Sequence, residues 1–350
     1  MLDARTLVGA CTFAALLATG ACGDAPEPWL PGEYVRWNLE QTERVPCAGT
    51  ERHLNRYMDR VFERVGVPAP AGFTVPVHVM DMPPCQEVRA CYRPQTRSVY
   101  TYSLDYVGER ASETLLHEVT HAVSGQVWGD SIPFLVEGFA VAFARNGTWM
   151  APAMGQPVGA MLDADAKDLD YLAAGHFSHF LIETRGIDLY QQLYRAAQVQ
   201  DQAKVRAAFA EVYGETFEAL ESEFVSELAC TFQLDVCGDA EGELVGAGWA
   251  VMLGGSCDDP DFYGSASADD VMIATQRTIE ITKAGRYRLR GNGAKVELTR
   301  CGRCAEQTLY RYPYLGEVEV DLDAGRYAIE MMPREESVVS LEIVPVDPLP

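Results

Sequence analysis

The chain has 350 residues, of which 48% are hydrophobic and 23% charged, and its formal net charge is −23. This length exceeds the usual size of one domain and predicts two folded domains in a chain that can bury substantial cores. The acidic balance argues against a basic face that binds nucleic acid or anionic lipid. The main explanation for this acidity is solubility, and a preference for basic substrates is the second explanation.

The N-terminal residues contain one short apolar run that ends at a cysteine. Leu7 to Ala18 form an apolar run that follows Arg5 and is too short to span a bilayer as a mature helix. The run ends in Thr19-Gly20-Ala21-Cys22, which resembles a lipobox with Thr where Leu is usual. We therefore predict a signal peptide over residues 1–21, a lipid on Cys22, and a polar tether over residues 22–44.

Between the tether and residue 102, the pattern predicts one helix and a small sheet. Gly49 to Val65 has helical periodicity, and Phe73 to Met80 alternates as a strand does. Tyr92 to Tyr102 is typical of a hairpin with its turn near Pro94.

His117-Glu118-Val119-Thr120-His121 is the most informative stretch of the chain. On a helix, residues four apart share a face, so both imidazoles can reach one Zn²⁺ while Glu118 stands beside the water position. Ser112 is placed to cap such a helix, which continues to Val123 with apolar residues at helical spacing. The motif therefore predicts a zinc site on an amphipathic helix.

A hydrolytic zinc site uses three protein ligands and leaves one position to water, so a third ligand is needed. Glu137 is the only acid in the apolar run from Ile132 to Ala144, which predicts a second helix with Pro133 in its first turn. A lone buried carboxylate is costly unless it is paired or bound to a metal. In the alternative interpretation, the histidines make ordinary hydrogen bonds and Glu137 is an ion-pair partner.

These two motifs resemble those of the gluzincin zinc metallopeptidases, and more narrowly the peptidase MA-like group. In that group a Glu-Gly-x-Ala helix, here Glu137 to Ala140, follows the His-Glu-x-x-His helix. The resemblance covers roughly residues 45 to 230, and the two helix motifs are its specific part. It implies an α+β zincin-like metallopeptidase domain with a small N-terminal sheet and a helical C-terminal part.

The resemblance also implies the roles of individual residues. His117, His121 and Glu137 hold one catalytic Zn²⁺, and Glu118 takes a proton from the activated water and delivers it to the leaving amine. Thermolysin-like relatives carry an Asp four residues after the ligand Glu, where this chain has Val141. The resemblance therefore supplies no hydrogen-bond partner for the outer ring nitrogens of the histidines.

Family members usually stabilise the tetrahedral intermediate with a Tyr or His from a downstream helix. Tyr171, His176 and His179 are the candidates here, and Gly175 would let their helix press against the zinc helix. Each candidate has an ordinary alternative as a core aromatic or as a surface or capped histidine. In similar peptidases the strand before the zinc helix forms the sheet edge along which substrate lies, and Ser98 to Tyr102 matches it.

A long loop from Gly147 to Asp165 is predicted after the second metal helix, followed by three helical blocks. The blocks span Tyr171 to Thr184, Ile187 to Gln198, and Ala203 to Leu228 with a break at Gly214.

The cysteines predict disulfides. If Cys11 leaves with the leader and Cys22 carries lipid, an even number of cysteines remains. These are Cys47, Cys85, Cys91, Cys230, Cys237, Cys257, Cys301 and Cys304. In an exported chain they indicate an oxidising compartment, and the sequence does not choose among their pairings. Cys301-Gly302-Arg303-Cys304 has no second Cys-x-x-Cys to complete a zinc ribbon.

Beyond residue 238 the pattern becomes all-β, with Gly-rich turns between strand candidates. The candidates are Gln276 to Thr282, Gly285 to Arg290, Ala294 to Thr299, Gly316 to Leu322, Gly325 to Met331 and Ser337 to Val344. This texture resembles the small β-sandwiches called bacterial pre-peptidase C-terminal domains. We therefore predict a peptidase domain over residues 45–238 and a β-sandwich domain over residues 239–350.

One acidic cluster offers oxygen ligands of the kind that Ca²⁺ prefers. It consists of Asp258, Asp259, Asp261, Asp269 and Asp270. The cluster lacks EF-hand spacing, and a solvated acidic loop is the preferred interpretation in so negative a chain.

The sequence as a whole predicts an exported, lipid-anchored zinc metallopeptidase of the bacterial cell envelope that acts on a peptide or protein substrate. The alternative is a catalytically degenerate peptidase-like surface lipoprotein that serves as a binding or assembly module. The sequence leaves open the substrate, the oligomeric state and the face of the membrane.

Overall fold

The computed structural model describes residues 33–41, 45–80, 84–85, 90–101, 113–144, 154–232, 234, 243–245, 248–266, 273–301, 309–312, 316–333 and 337–346. The predicted leader, Cys22 and the capping residue Ser112 lie outside them. The described part is a mixed α/β structure with seven α-helices and several sheets. None of its helices has both the length and the apolar character needed to cross a membrane.

The N-terminal elements form a helix and a four-stranded sheet. They are β1 (Val35–Gln41), β2 (Val45–Pro46), α1 (Thr50–Val65), β3 (Val75–Met80), β4 (Ala90–Arg93) and β5 (Ser98–Thr101). The sheet order is β1-β3-β5-β4, with β1, β3 and β5 parallel and β4 antiparallel. β1 lies within residues 22–44, which were predicted to form an unfolded tether. This part of the chain is folded instead, since β1 pairs with β3 and Tyr34 and Val35 are buried.

The prediction that Ser98 to Tyr102 forms the sheet edge is wrong. β5 lies between β3 and β4, and β4 is the edge strand on that side of the sheet. The predicted hairpin is present and consists of β4 and β5, with its turn at residues 94–97. Its first strand, β4, lies at the sheet edge because its second strand, β5, pairs in parallel with β3. The choice between the two arms depends on a crossover connection that local pattern does not encode.

Helices build the rest of the first core. They are α2 (Glu113–Val127), α3 (Pro133–Ala144), α4 (Tyr171–Arg185), α5 (Ile187–Ala196), α6 (Gln202–Tyr213) and α7 (Phe217–Phe224). The three predicted helical blocks are present, and Gly214 ends α6 in the left-handed conformation that favours glycine. Of the predicted loop at residues 147–165, the described part contains one short 3-10 turn, Gly159–Met161.

The C-terminal part consists of strands. They are β6 (Glu243–Val245), β7 (Trp249–Gly254), β8 (Ser265–Ala266), β9 (Thr275–Ile281), β10 (Gly285–Asn292), β11 (Ala294–Arg300), β12 (Leu309–Tyr312), β13 (Glu317–Leu322), β14 (Gly325–Pro333) and β15 (Val338–Pro345). Two sheets, ordered β13-β10-β15-β7 and β12-β11-β14-β9-β6, face each other across one apolar core, as in a β-sandwich.

A junction formed by residues 45–53 and 257–266 joins the helical part to the sandwich. A disulfide links Cys47 to Cys257, and β2 pairs antiparallel with β8. His53 of α1 stacks on Tyr263 with ring centroids 4.0 Å apart. Gly49 is required here, because a Cβ on it would lie 2.4 Å from the carbonyl oxygen of Pro260.

Disulfides also occur elsewhere in the described chain. Cys85 pairs with Cys91, and Cys230 and Cys301 are disulfide-bonded as well. Disulfides persist in oxidising environments, so this part of the chain belongs in an oxidising compartment.

Candidate metal centre

α2 and α3 bring the three predicted ligands together. The Nε2 atoms of His117 and His121 lie 3.0 Å apart, and each is 3.1 Å from Oε2 of Glu137. Both histidines are buried and Glu137 is nearly so. Among the described residues, these three side chains form the one cluster of His, Cys, Asp or Glu that could hold a metal ion.

The donor atoms fit a zinc ion. Ligands at about 2.0–2.1 Å from a tetrahedral zinc lie about 3.3 Å from one another, close to the distances found here. Hydrogen bonds alone explain the arrangement less well. For Glu137 to accept from both rings, two N–H groups must point at one oxygen while their nitrogens stand 3.0 Å apart. Two imidazole nitrogens and one carboxylate oxygen are also a donor set found at catalytic zinc sites.

Glu137 is held in its ionised form. Burial opposes its charge, but the fields and hydrogen bonds of His121 and His117 outweigh that effect and keep its pKa well below the usual range. A charged carboxylate is the form that binds a metal ion.

Glu118 lies beside the triad and accepts a hydrogen bond from the backbone N–H of Tyr92 at 2.6 Å. The residue is buried, with 7% of its surface exposed. Burial, opposed by the field of His117, raises its pKa to about 7. The contact also fixes the edge strand β4 against the metal helix, because Tyr92 belongs to that strand.

The outer nitrogens of the two histidines are not satisfied in the described structure. Neither Nδ1 of His117 nor Nδ1 of His121 has a hydrogen-bond partner among the described residues. Val141, the position considered above for a partner of the histidines, is fully buried and faces α4. Its Cγ1 would be 2.3 Å from a Cβ on Gly175. This position therefore serves helix packing.

The spacing of Gly175 predicted that it brings α4 against α2, the helix with the two histidines, and this prediction is wrong. The glycine lies against Val141 of α3, the second metal helix. Gly138 makes the same interface from the other side, since a Cβ there would be 2.8 Å from the carbonyl oxygen of Ala174. Two glycines thus place α4 close to Glu137.

The three candidates for stabilising the intermediate lie at different places along α4. The ring of Tyr171 is 6.2 Å from that of His117, and burial together with Glu137 and Glu118 raises its pKa to about 12. His176 is buried, and its Nε2 has no partner among the described residues. His179 packs against Phe232 with ring centroids 4.5 Å apart. Of the three, Tyr171 has a described contact with a metal ligand.

The acidic cluster considered for Ca²⁺ is partly neutralised by ion pairs. Asp261 binds Arg52 and Arg277, each with an N–O distance of 3.0 Å. Asp269 and Asp270 lie outside the described residues.

A pocket of about 280 Å³ opens beside the metal ligands. His121 and Glu137 form part of its wall, and Tyr92, Asp130 and Val136 form other parts. Two buried residues, Ser124 of α2 and Tyr194 of α5, also line it and share a hydrogen bond.

Sequence reasoning missed Tyr92, Ser124, Asp130 and Tyr194. Tyr92, Ser124 and Tyr194 lie in or next to predicted strands and helices. Asp130 lies in the short connection between α2 and α3. No spacing rule connects these positions to the metal motif, because they meet through the packing of β4, α2 and α5.

No protein-family model matches the chain, and no curated protein matches it. Among solved structures, the pre-peptidase C-terminal domain of a Bacillus anthracis collagenase is similar, with 10% identity and a TM-score of 0.20 over 31% of this chain and 97% of that chain. A Podospora anserina GH26-CBM35 β-(1,4)-mannanase has 11% identity and a TM-score of 0.16 over 30% and 29%. A carbohydrate-binding module of Cellvibrio mixtus lichenase 5A has 15% identity and a TM-score of 0.14 over 24% and 80%. TM-scores this low assign neither a fold nor an activity to the chain.

Proposed function

We propose that this chain is a zinc metallopeptidase of the gluzincin type that hydrolyses bonds in a peptide or protein substrate. The observation that carries the proposal is the convergence of His117, His121 and Glu137 beside the buried carboxyl group of Glu118. Three protein ligands leave one tetrahedral position to water, as in hydrolytic zinc sites, whereas structural sites are closed by four.

The chemistry divides between the metal and the chain. Zinc, when bound, acidifies a water molecule and polarises the scissile carbonyl. Glu118 is close to the metal ligands without being one of them, so it can take the proton of the attacking water and pass it to the leaving amine. Tyr171 keeps its hydroxyl proton at neutral pH, because its pKa is about 12, and can donate a hydrogen bond to the developing oxyanion.

We also propose that the protein is exported to the bacterial cell envelope and anchored by a lipid on Cys22. The apolar leader and the lipobox-like Thr19 to Cys22 support this location. The disulfides Cys47–Cys257 and Cys85–Cys91 fit an oxidising compartment. Mass spectrometry of the protein purified from bacterial membranes tests the anchor, which requires a diacylglyceryl adduct on an N-terminal Cys22.

Substituting the proposed base tests the peptidase function directly. Glu118→Ala is expected to lower the hydrolysis of a quenched-fluorescence peptide library by at least about 10²-fold, because the proton acceptor is lost. Zinc should remain at about one equivalent per chain, measured by elemental mass spectrometry, since Glu118 is not a ligand.

Glu211→Ala, at an exposed position on α6, is the matched control and should retain full activity. Full activity of Glu118→Ala would show that the assigned base is wrong. Activity that survives removal of the metal by a chelator would contradict the zinc mechanism.

The second candidate function is a degenerate, metal-bound scaffold that binds a partner through its β-sandwich. It is favoured by the outer nitrogens of His117 and His121, which lack partners within the described residues, since such partners normally orient metal-binding imidazoles. This candidate predicts zinc uptake without hydrolysis of any library peptide. The same library assay therefore separates the two functions.

A further inference from the structure

We infer that the pocket beside the metal triad selects substrates with a Lys or Arg side chain next to the scissile bond, with Asp130 as the counter-ion. The inference deepens the proposed peptidase function and rests on it. The pocket is defined by His121, Glu137, Tyr92, Ser124, Asp130 and Tyr194 among its lining residues.

The position of the pocket ties it to the reaction centre. His121 and Glu137 contribute both to its wall and to the metal triad. A side chain in this pocket therefore belongs to a substrate residue at or near the bond that is attacked. The volume of about 280 Å³ suits one long side chain and lies just below the range of pockets that take drug-sized ligands.

The lining has the chemistry that a cation requires. Among the described residues that line the pocket, Asp130 and Glu137 are charged, both are acidic, and no Lys or Arg is present. Ser124 and Tyr194, two buried residues of the lining, carry hydroxyl oxygens that can accept hydrogen bonds from an ammonium or guanidinium group.

Asp130 is the group that decides the charge preference. The charge of Glu137 is balanced when a metal ion is bound, so it contributes little to the selection of a substrate cation. Asp130 is exposed and forms no ion pair with another described residue. Burial is the main cause of the raised pKa values of Tyr92 and Tyr194, and the charge of Asp130 adds to both.

Two cations lie near the pocket without lining it. Arg97 lowers the pKa of Tyr92, although burial of the phenol has the larger and opposite effect. Lys167 follows the lining residue Ala166 and is exposed. Neither side chain is part of the wall, so both leave the acidic lining accessible to a substrate cation.

The test compares N-acetylated, C-amidated peptides that differ at one position, scanned on both sides of the cleaved bond. The position carries Lys, its uncharged analogue norleucine, or Glu. We expect kcat/KM for the Lys peptide to exceed that for the norleucine peptide by about fivefold, the upper range for an exposed ion pair. Raised salt should reduce the ratio, because Asp130 is exposed.

Substitution of the counter-ion makes the test specific. Asp130→Asn is expected to bring the ratio of Lys to norleucine close to one, and Asp130→Arg to favour the Glu peptide. Asp188→Asn, at an exposed position on α5 outside the pocket, is the matched control and should keep the wild-type ratio.

Binding gives a readout that does not require turnover. Fluorescently labelled Lys and norleucine peptides are titrated into zinc-loaded Glu118→Ala protein, with and without Asp130→Asn, and their anisotropy is measured. Tighter binding of the Lys peptide that disappears with Asp130→Asn supports the inference, even if no library peptide is hydrolysed. Equal binding of both peptides, or a preference that survives Asp130→Asn, overturns it whether or not the protein is a peptidase.

Discussion

Tyr171 stands at the first helical position of α4, after Asp170, whose side chain caps the helix by accepting a hydrogen bond from the backbone N–H of Ala173. The cap fixes the start of the helix and thereby the direction of the tyrosine side chain. Its ring lies 6.2 Å from that of His117, and burial together with the nearby acids Glu137 and Glu118 raises the pKa of its hydroxyl. Its position and its protonation both suit a hydrogen-bond donor to a developing negative charge.

Tyr171→Phe is expected to lower kcat of peptide hydrolysis by about 10²–10³-fold and to leave KM nearly unchanged, because the hydroxyl acts on the transition state. Steady-state kinetics on one library peptide give both parameters. Retained zinc and an unchanged melting temperature are the controls for folding. A rise in KM with constant kcat would assign the hydroxyl to substrate binding instead.

At the scale of elements, the contact between α3 and α4 positions Glu137. Gly138 and Gly175 allow the two helices to approach so closely that an added Cβ would overlap Ser178 or Val141. Tyr190 of α5 supports the contact from outside, because its hydroxyl donates a hydrogen bond to the carbonyl oxygen of Leu135 at 3.0 Å. The position of the third candidate metal ligand therefore depends on helix packing as well as on local sequence.

Gly138→Ala is expected to destabilise the protein by about 1–3 kcal/mol, because the new methyl group would push against the backbone of Ala174. Zinc affinity should fall as well, since Glu137 is the adjacent residue. Urea unfolding and competition with a chromophoric chelator measure the two effects. Gly254→Ala is the control, because nothing lies within 4 Å of the added methyl group, and equal effects of the two changes would contradict the packing argument.

The histidines of α4 make stability depend on pH. Burial lowers the pKa of His176 from 6.5 to about 4. The unfolded chain therefore takes up this proton first as pH falls, so the stabilisation is present above pH 6.5 and is lost as pH falls towards 4. The loss is on the order of 3 kcal/mol by the free energy of one pKa unit.

His176→Leu should reduce the difference in unfolding free energy between pH 7 and pH 4 by this amount. Urea unfolding of metal-free protein measures it without proton competition at the metal ligands. An identical pH dependence in the wild type and the variant would show that His176 titrates normally.

At the scale of the whole molecule, one disulfide and one short strand pair join the helical part to the sandwich. Cys47 and Cys257 are 210 residues apart in sequence, so their bond closes most of the folded chain into a loop. Thr50 adds a buried hydrogen bond by donating to the carbonyl oxygen of Gly264 at 2.7 Å. The junction thus holds the start of α1 against the sandwich.

Replacing Cys47 and Cys257 together with Ser is expected to lower the free energy of unfolding by about 2–5 kcal/mol, because the unfolded chain regains the entropy of a long loop. Replacing Cys85 and Cys91, which are 6 residues apart, should cost less for the same reason. Urea unfolding under oxidising conditions compares the two variants. A larger effect of the short-loop pair would contradict the entropic account.

The sequence by itself determined most of the elements and the chemical character of the candidate metal ligands. Helical spacing placed His117 and His121 on one face of α2, and the lone acid in the apolar run of α3 indicated Glu137. Strand alternation likewise predicted β9 to β11 and β13 to β15, and each predicted end lies within two residues of the observed end. These features depend on periods of two or 3.6 residues, which are local and therefore readable. The boundaries of the predicted domains stay predictions.

Only the tertiary structure decided which arm of the hairpin lies at the sheet edge, which helix Gly175 contacts, and which residues surround the candidate metal site. β4 is the edge because β5 pairs with β3, and Val141 faces α4 because two glycines admit that helix. Asp130 and Tyr194 meet in one pocket although they are far apart in sequence. Each of these results depends on contacts between distant segments, whose register and depth are set by packing and by chain crossing rather than by any period in the sequence.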